Sequence, residues 1–450
     1  MVLRFGTDGI RGVANTELSP ELALALGRAA ARHLPAAEFL VGRDTRRSGP
    51  MLQGALAAGL ASEGTRVIDV GVIPTPGLAW LAAARSLPGA MISASHNPFA
   101  DNGIKLLSPG GTKLDDALER AIEAELDAVL LDYGTGARRG VPGGGGVGAM
   151  VTDVSAIDDY AEHLVKAVTL GARPLRIVCD CANGAASPLA PAVLARLGVD
   201  AVIVAAAPNG TNINDHCGST HAAALGARVV AEGAAIGLCF DGDADRLIAL
   251  DERGCVVDGD QLLALFALDL FQRGVLHNGA IVATVMSNLG LRKGLESHGI
   301  GLVETPIGDR YVTDALEAND LILGGEQSGH IVFRRDATTG DGLLTALKLL
   351  ELVAATDQPL SRLADEAMTR LPQELRNVPV AEPARLGSAA AVWAEVSSVE
   401  AMLGGSGRVL LRASGTEATV RVMVEAESHD DAAAAVERLV AVVQRELASH

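Results

Sequence analysis

The sequence predicts an α/β fold: three consecutive α/β domains with mixed, largely parallel sheets, then a small C-terminal α+β domain. Three observations carry that prediction. Short apolar runs, the pattern of strands buried on both faces, alternate with helical segments as parallel βαβ units do. A glycine-rich break over 134–148, with Gly143-Gly-Gly-Gly146 inside it, interrupts the alternation. After Leu371-Pro372 the strands cluster together instead of alternating. With a third α/β block opening around Asp258-Gly259-Asp260, these breaks place the domains at 1–148, 149–251, 252–368 and 369–450.

In chain order, Ser19-Pro20-Glu21 signals a helix start (cap, first-turn proline, acid near the dipole), and the helix runs to about His33. Phe39-Leu-Val reads as a strand, Met51 to Ser62 as a helix, Arg66-Val-Ile-Asp-Val as a strand and Pro76 to Ala84 as a helix. Ala90-Met91-Ile92 is a further buried strand, followed by a helix from Asp115 to Leu131. Beyond the glycine break come a helix near Ala156 to Val168, strands at Leu175 to Cys179 and Ala201 to Val204, and a polar loop over Asn209 to His221. Strands at Ala235 to Phe240 and Leu247 to Leu250 flank an acidic loop. The third block holds helices from Asp258 to Phe271, Leu289 to Ser297, Gly308 onward and Asp341 to Ala355, between strands at 280–283, 301–304 and 321–325. The last block has strands at 408–412 and 420–425, flanked by helices over 389–403 and 429–447. No self-similar repeat is visible in the residues, although three successive α/β blocks are compatible with a structural one.

Composition narrows the function classes. Hydrophobic residues at 49% and charged residues at 20% allow sizeable cores and argue against global disorder. A net charge of −18 argues against nucleic acid, which needs a basic face, but leaves room for a small phosphorylated ligand held by a few focused arginines. The five cysteines are odd in number, and the one-residue spacing of Cys179 and Cys181 is poor for zinc, so they read as reduced thiols of a cytoplasmic protein. No leader is expected ahead of Phe5, and no stretch is long and apolar enough to span a membrane.

Five loops carry polar chemistry. Ser93-Ala-Ser95-His96-Asn97-Pro98 follows a buried strand, so Ser95 is a candidate nucleophile with His96 and Lys105 beside it; a turn cap is the equal alternative. Phe5 to Gly12 spaces glycines around Arg11, fit either to approach an anion or to make a tight turn. Asp241, Asp243 and Asp245 alternate, and in extended backbone their carboxylates point the same way, which demands a cation. All-oxygen ligands favour Mg2+ or Ca2+ over zinc. A calcium loop with Glu252 as its last ligand and a solvated acidic turn are the rivals; Arg246 stands where the calcium loop needs glycine, so Mg2+ is favoured. Glu326-Gln-Ser328-Gly-His330 offers the hydrogen-bonding density a polyhydroxylated ligand needs, and His330 adds an imidazole, a group suited to proton exchange. Arg412-Ala-Ser414-Gly415-Thr416-Glu417 joins an arginine to a turn whose N–H groups form an anion nest, with Arg421 nearby; an ordinary hairpin is the alternative.

Ser-Ala-Ser-His-Asn-Pro at 93–98, Asp-Gly-Asp-Ala-Asp-Arg at 241–246, Gly-Glu-Gln-Ser-Gly-His at 325–330 and Arg-Ala-Ser-Gly-Thr-Glu at 412–417 stand in the order and spacing of the α-D-phosphohexomutases. The resemblance covers essentially the whole chain. The segments at 5–12, 214–221 and 308–312, with Gln327, make it most similar to members acting on glucosamine phosphate. It implies four domains around a central cleft and a phosphoryl group carried on Ser95. One Mg2+ on Asp241, Asp243, Asp245 and a phosphoserine oxygen is implied too. Arg11, His96, Lys105, Arg246 and His330 would then serve the transfer, and Gly308, Asp309, Glu326 and Ser328 would hold the sugar. Arg412, Ser414, Gly415, Thr416 and Arg421 would grip the phosphate not in transfer. The implied reaction interconverts glucosamine 6-phosphate and 1-phosphate through a 1,6-bisphosphate, which also serves as activator, feeding UDP-N-acetylglucosamine and cell-wall precursor synthesis. The partner expected is a small phosphosugar, with no nucleic acid and no membrane, in a monomer or homodimer. Related mutases of glucose or mannose phosphates, or a metal-dependent phosphomonoesterase, are the alternatives. Ala418 departs from the family's usual proline and implies a less rigid phosphate turn.

Overall fold

In the computed structural model, which describes residues 3–6, 8–135, 140–171, 175–414 and 418–447, the first block opens with β1 (Ile10–Val13) and α1 (Pro20–His33). The Ser19 hydroxyl accepts from the Leu22 N–H, which sets the start of α1. There follow β2 (Glu38–Arg43), α2 (Gly49–Ser62), β3 (Arg66–Val72), α3 (Thr75–Arg85), β4 (Gly89–Ile92), β5 (Asp101–Leu107), α4 (Asp116–Thr135) and β6 (Met150–Thr152). They form a six-stranded sheet in the order β1-β5-β4-β2-β3-β6, parallel through β4, β2, β3 and β6, with β5 antiparallel to β4 and β1 antiparallel to β5.

The second block holds α5 (Ala156–Lys166), β7 (Arg176–Asp180), α6 (Ala190–Arg196), β8 (Asp200–Val204), α7 (Gly226–Ala231), β9 (Ile236–Phe240), β10 (Leu247–Leu250) and β11 (Val256–Val257). Its sheet runs β11-β10-β9-β7-β8. The third holds α8 (Gly259–Gln272), β12 (Ala280–Thr284), α9 (Leu289–Ser297), β13 (Gly301–Thr305), α10 (Asp309–Ala318), β14 (Leu323–Gly325), β15 (Ile331–Phe333), α11 (Gly342–Thr356) and α12 (Leu360–Ala367), with the sheet β13-β12-β14-β15.

One strand order recurs in all three blocks: β5-β4-β2-β3, β10-β9-β7-β8 and β15-β14-β12-β13. In each, the first member is an antiparallel return from the central parallel strand. The turn into that return carries residues 93–100, 241–246 and 326–330 respectively. Three of the five polar loops therefore occupy one equivalent position, the C-terminal end of a central strand, where α/β sheets present their functional groups.

Strands β1, β5, β6, β11, β15 and β16 (Gln373–Pro379) and helices α7 and α12 have no counterpart in the sequence reading. β5 begins Asp101-Asn102-Gly103, residues that favour turns, and β1 contains Arg11 and Gly12. Tertiary pairing overrides those local preferences. Packing in the first block is close enough for helix backbones to touch: a methyl on Gly27 of α1 would lie 2.2 Å from the Leu56 carbonyl oxygen, and one on Gly59 of α2 would lie 2.2 Å from that of Leu24.

The described chain divides into two compact units, residues up to 286 with 300–365, and 287–299 with 366 onward. The second unit contains α9 and the antiparallel sheet β16-β18-β17, from β16 (Gln373–Pro379), β17 (Arg408–Ala413) and β18 (Thr419–Glu425), with α13 (Ala390–Leu403) and α14 (His429–Leu447). Buried Glu425 ties it together by accepting from the Leu289 N–H at 2.9 Å and from Arg408 Nε at 3.0 Å. All five cysteines are free thiols, Cys179, Cys181 and Cys239 being buried. Among the described residues no helix is long and apolar enough to cross a membrane.

Candidate functional site

Ser95 leaves β4 in the left-handed region, with φ +50°, and its side chain is fully buried. Its Oγ donates to Asp241 Oδ2 at 2.6 Å and lies 3.3 Å from His96 Nδ1. This is more than a turn cap, because the partner is a carboxylate from another sheet. Burial, then Arg246 and Arg11, push the His96 imidazole down to about 4. Near pH 7 this ring is neutral, so in this geometry it offers hydrogen bonding and not charge.

The acidic loop is a turn between β9 and β10, not extended backbone. Ala244 takes φ +55°, and that turn, in place of the alternation expected, brings the three carboxylates together. One oxygen from each of Asp241, Asp243 and Asp245 lies within 4.8 Å of the others, and all three residues are buried. Burial foremost, then Asp245 and Asp243, hold the Asp241 carboxyl well above the usual carboxylate range. Burial acts the same way on Asp243, but Lys105, Thr75 and Arg11 outweigh it and hold that carboxyl well below the range. The calcium-loop alternative fails on geometry: both flanks are strands, and Glu252 accepts from the Ser361 N–H and hydroxyl instead.

These residues fit a hard cation. Asp243 Oδ1 and Asp245 Oδ1 are buried without a hydrogen-bond partner, and three carboxylates this close need positive charge to stay ionised together. Lys105 supplies part of it from β5, with Nζ 2.8 Å from Asp243 Oδ2, 3.2 Å from Asp8 Oδ1 and 3.9 Å from Asp245 Oδ2. Thr75 Oγ1 donates to the same Asp243 oxygen at 2.6 Å. Arg11, on β1, pairs with Asp8, and burial lowers its guanidinium. Arg246 closes the acidic turn, its N–H donating to Asp241 Oδ1 at 3.3 Å and its Nε 3.7 Å from Asp245 Oδ1.

The loop between β14 and β15 stands against this cluster. His330 is buried, with Nε2 3.9 Å from both Asp245 Oδ2 and Asp309 Oδ2. Glu326 Oε1 accepts from the Gly308 N–H at 3.1 Å, and Oε2 accepts from Ser328 Oγ at 3.2 Å. Asp309, first residue of α10, pairs with Lys113 Nζ at 2.5 Å, and Lys113 reaches Asp8 Oδ1 at 2.9 Å. A cavity of about 150 Å3, with Asp8, Lys105, Asp245 and Asp309 in its wall, runs beside these groups.

The structure thus brings together Ser95, His96, Lys105, Arg11, Asp241, Asp243, Asp245, Arg246, Gly308, Asp309, Glu326, Ser328 and His330. Arg412, Ser414 and Arg421 belong to the second unit, and Gly415 and Thr416 lie outside the described residues. Arg412 and Arg421 are direct cross-strand partners on β17 and β18, a like-charge pairing that a sheet does not choose for stability. Burial, then Arg421, lower the Arg412 guanidinium. Sequence reasoning missed Asp8, Asp44, Arg46, Thr75, Lys113 and Asn214. Asp44-Thr45-Arg46, opposite charges directly after an apolar strand, is the signal that was there to be found.

Four family models match the chain in order. Those described as phosphoglucomutase/phosphomannomutase, alpha/beta/alpha domains I, II and III, match residues 2–131, 158–254 and 258–371, and that of the C-terminal domain matches 375–442. The phosphoglucosamine mutase of Salinispora tropica is 50% identical over 447 residues, 98% of each chain. A phosphoglucomutase/phosphomannomutase family protein from Burkholderia thailandensis superposes with TM-score 0.80 at 26% identity, over 97% of this chain and 96% of that one. The N-acetylphosphoglucosamine mutase of Aspergillus fumigatus, solved with GlcNAc-6P and magnesium, shares the fold with TM-score 0.69 at 18% identity, over 99% and 96% of the two chains. Matched along its length by all four models and half identical to a curated relative over nearly all of it, the chain belongs to the phosphoglucomutase/phosphomannomutase family, the α-D-phosphohexomutases.

Proposed function

We propose that this protein interconverts glucosamine 6-phosphate and glucosamine 1-phosphate by passing a phosphoryl group through Ser95. The observation that carries the reading is Ser95 Oγ, 2.6 Å from Asp241 Oδ2, at the edge of a buried carboxylate triad with two unpartnered oxygens. A serine so placed, without a histidine–acid relay of the hydrolase kind, suits a residue that parks phosphate. The choice of glucosamine rests on the name of the half-identical Salinispora relative.

On this reading Asp241, Asp243 and Asp245, with a phosphoserine oxygen, hold one Mg2+. Bound there, the ion neutralises phosphoryl charge and orients the group for in-line displacement. Lys105, Arg11 and Arg246 add fixed positive charge around the same oxygens. In the forward direction the bond from phosphorus to Ser95 Oγ breaks as a bond forms to sugar O1, giving the 1,6-bisphosphate. The intermediate turns over, its 6-phosphate passes to Ser95, and the 1-phosphate leaves. Glu326, Ser328, Gly308 and Asp309 orient the sugar, and His330 exchanges the hydroxyl proton. Arg412 and Arg421, with Ser414, Gly415 and Thr416, take the phosphate not in transfer. We place domain limits at 1–148, 149–251, 252–368 and 369–450, the activator as a hexose 1,6-bisphosphate, and the enzyme in the cytoplasm as a monomer or homodimer.

Incubation with glucosamine 6-phosphate, Mg2+ and a trace of bisphosphate, followed by 31P NMR, tests the reading. The 1-phosphate is expected to accumulate. Release of inorganic phosphate instead makes the protein a phosphomonoesterase, and faster turnover of mannose or glucose phosphates moves it to another branch of the family.

A further inference from the structure

Among the described residues Arg46 is the largest fully buried side chain, and it lies outside the reacting cluster. It follows β2, and its Nε donates to Asp44 Oδ2 at 2.9 Å. The rest of its guanidinium is spent on main-chain carbonyls of the serine loop: Ser95 O at 2.8 Å, Asn97 O at 2.8 Å, Asp101 O at 3.0 Å and Pro98 O. From the block of another sheet, in the loop after β8, comes Asn214. Its Nδ2 donates to the same two carbonyls, Ser95 O at 2.9 Å and Asn97 O at 3.1 Å. Asn214 is itself fixed: it sits at φ +59°, is buried, and its N–H donates to Ala182 O at 2.9 Å.

The carbonyls flanking His96 therefore each accept two hydrogen bonds, one from Arg46 and one from Asn214, which uses both lone pairs. Below them the Ser95 N–H donates to Ser93 Oγ at 2.9 Å, and Ser93 Oγ donates to Asp44 Oδ2 at 2.7 Å. Gly242 leaves the necessary space, since a methyl there would lie 2.5 Å from Ser95 O. A non-glycine residue at positive φ persists only where its surroundings over-determine it, and here they do.

We propose that Arg46 and Asn214 are positioning residues for the phosphoryl transfer, a two-sided clamp that holds Ser95 in its left-handed conformation and so keeps Oγ at the carboxylate triad. The inference rests on the reading of Ser95 as the phosphoryl carrier. Neither residue touches the reacting atoms; both act through the peptide units beside Ser95. Arginine is required because one planar fork serves several carbonyls at once, which a lysine ammonium does not. Asn214→Asp is the sharpest probe: it keeps size and exchanges the donor for an acceptor aimed at two carbonyls.

The test compares parent, Asn214→Asp, Asn214→Ala and Arg46→Lys by steady-state kinetics and by hydrogen exchange of peptides spanning 93–101. Displacing Oγ by a fraction of an ångström is expected to lower kcat by about tenfold to a hundredfold with KM within about threefold. Exchange should accelerate by about tenfold or more in 93–101 alone. A purely structural role would lower the thermal midpoint and leave kcat of the folded protein unchanged. Exchange in 93–101 equal to the parent, or altered exchange with unaltered kcat, overturns the clamp. If Arg46→Lys does not fold, the Asn214 variants decide. If the parent turns over no phosphosugar while exchange in 93–101 accelerates in the variants, the clamp stands and the proposed reaction falls.

Discussion

The loops carrying Ser95 and His330 occupy the same place in a shared strand order, each at the turn from a central parallel strand into its antiparallel return, yet they are finished in opposite ways. Around Ser95, the N–H, the carbonyl and the hydroxyl all have partners, and the neighbouring Asn97 carbonyl has two. Around His330 the polar atoms are left over: both ring nitrogens and the Gln327 amide nitrogen are buried without hydrogen-bond partners. Leaving buried polar atoms unpaired costs about 1–3 kcal/mol each, so such a loop makes sense where a ligand completes it. The serine loop is built before substrate arrives; the glutamate loop is built for substrate to finish.

The largest effect should come from breaking the finished loop at its tip. Ser95→Ala removes the phosphoryl acceptor, and kcat should fall by roughly four orders of magnitude or more. The backbone clamp does not involve Oγ, so the thermal midpoint should hold within a few degrees. Intact mass should show one phosphate on the parent and none on the variant; an active Ser95→Ala protein ends the mechanism.

Asp243→Asn attacks the same loop through its cation site. Lys105 at 2.8 Å and Thr75 at 2.6 Å hold the Asp243 carboxyl well below the usual carboxylate range. Its loss should cost roughly 10^3-fold in kcat/KM. The upward shift of the midpoint that Mg2+ gives the parent should vanish, because a ligand stabilises only a fold that binds it. A variant that still responds to Mg2+ by calorimetry would show that the triad is not the metal site.

In the unfinished loop, His330→Gln keeps hydrogen-bonding capacity and removes the imidazole. If the ring exchanges the sugar proton, kcat should fall by about 10^2-fold with KM little changed. Phosphorylation of Ser95, read by mass, should persist, which separates the two loops in one protein. An unchanged kcat would reduce His330 to a filler against Gly340, where an added methyl would lie 2.5 Å from its ring.

The same contrast explains what the sequence let one read. Ser95, the three aspartates and the Glu326–His330 loop are visible because chemistry-bearing residues crowd into short spans after apolar strands. The strands at 10–13 and 101–107 are not, because Arg11, Gly12, Asn102 and Gly103 favour loops and only cross-strand pairing makes them strands. For Arg46 and Asn214 the role lies in which distant carbonyls they reach, so beyond the opposite charges of Asp44 and Arg46 after an apolar strand the residues carry no sign of it. The threefold repeat of strand order left no trace in the residues, since it is kept by topology and burial and not by identity.

The smallest expected effect lies just behind the glutamate loop, and it compares two buried aspartates. Asp44 has Arg46 as a charged partner. Asp341, joined to β15 through its N–H at Ile331 O and capping α11, has neutral donors only: Tyr160 Oη at 2.6 Å and the Leu344 N–H at 2.9 Å. Burial pushes its carboxyl up to about 6. An acid whose folded value lies above its unfolded value of about 4 keeps its proton longer in the fold than in the open chain. Folding stability should therefore decline as pH rises from about 4 to 6 and change no further above that, a loss of at most about 3 kcal/mol. Asp341→Asn retains a good cap and has no charge to lose, so its denaturant midpoint should be flatter over that window and higher than the parent's at pH 7. Parallel pH profiles for parent and variant would mean that Asp341 is ionised in the fold at every pH, and that Tyr160 serves a carboxylate there as Arg46 does at Asp44.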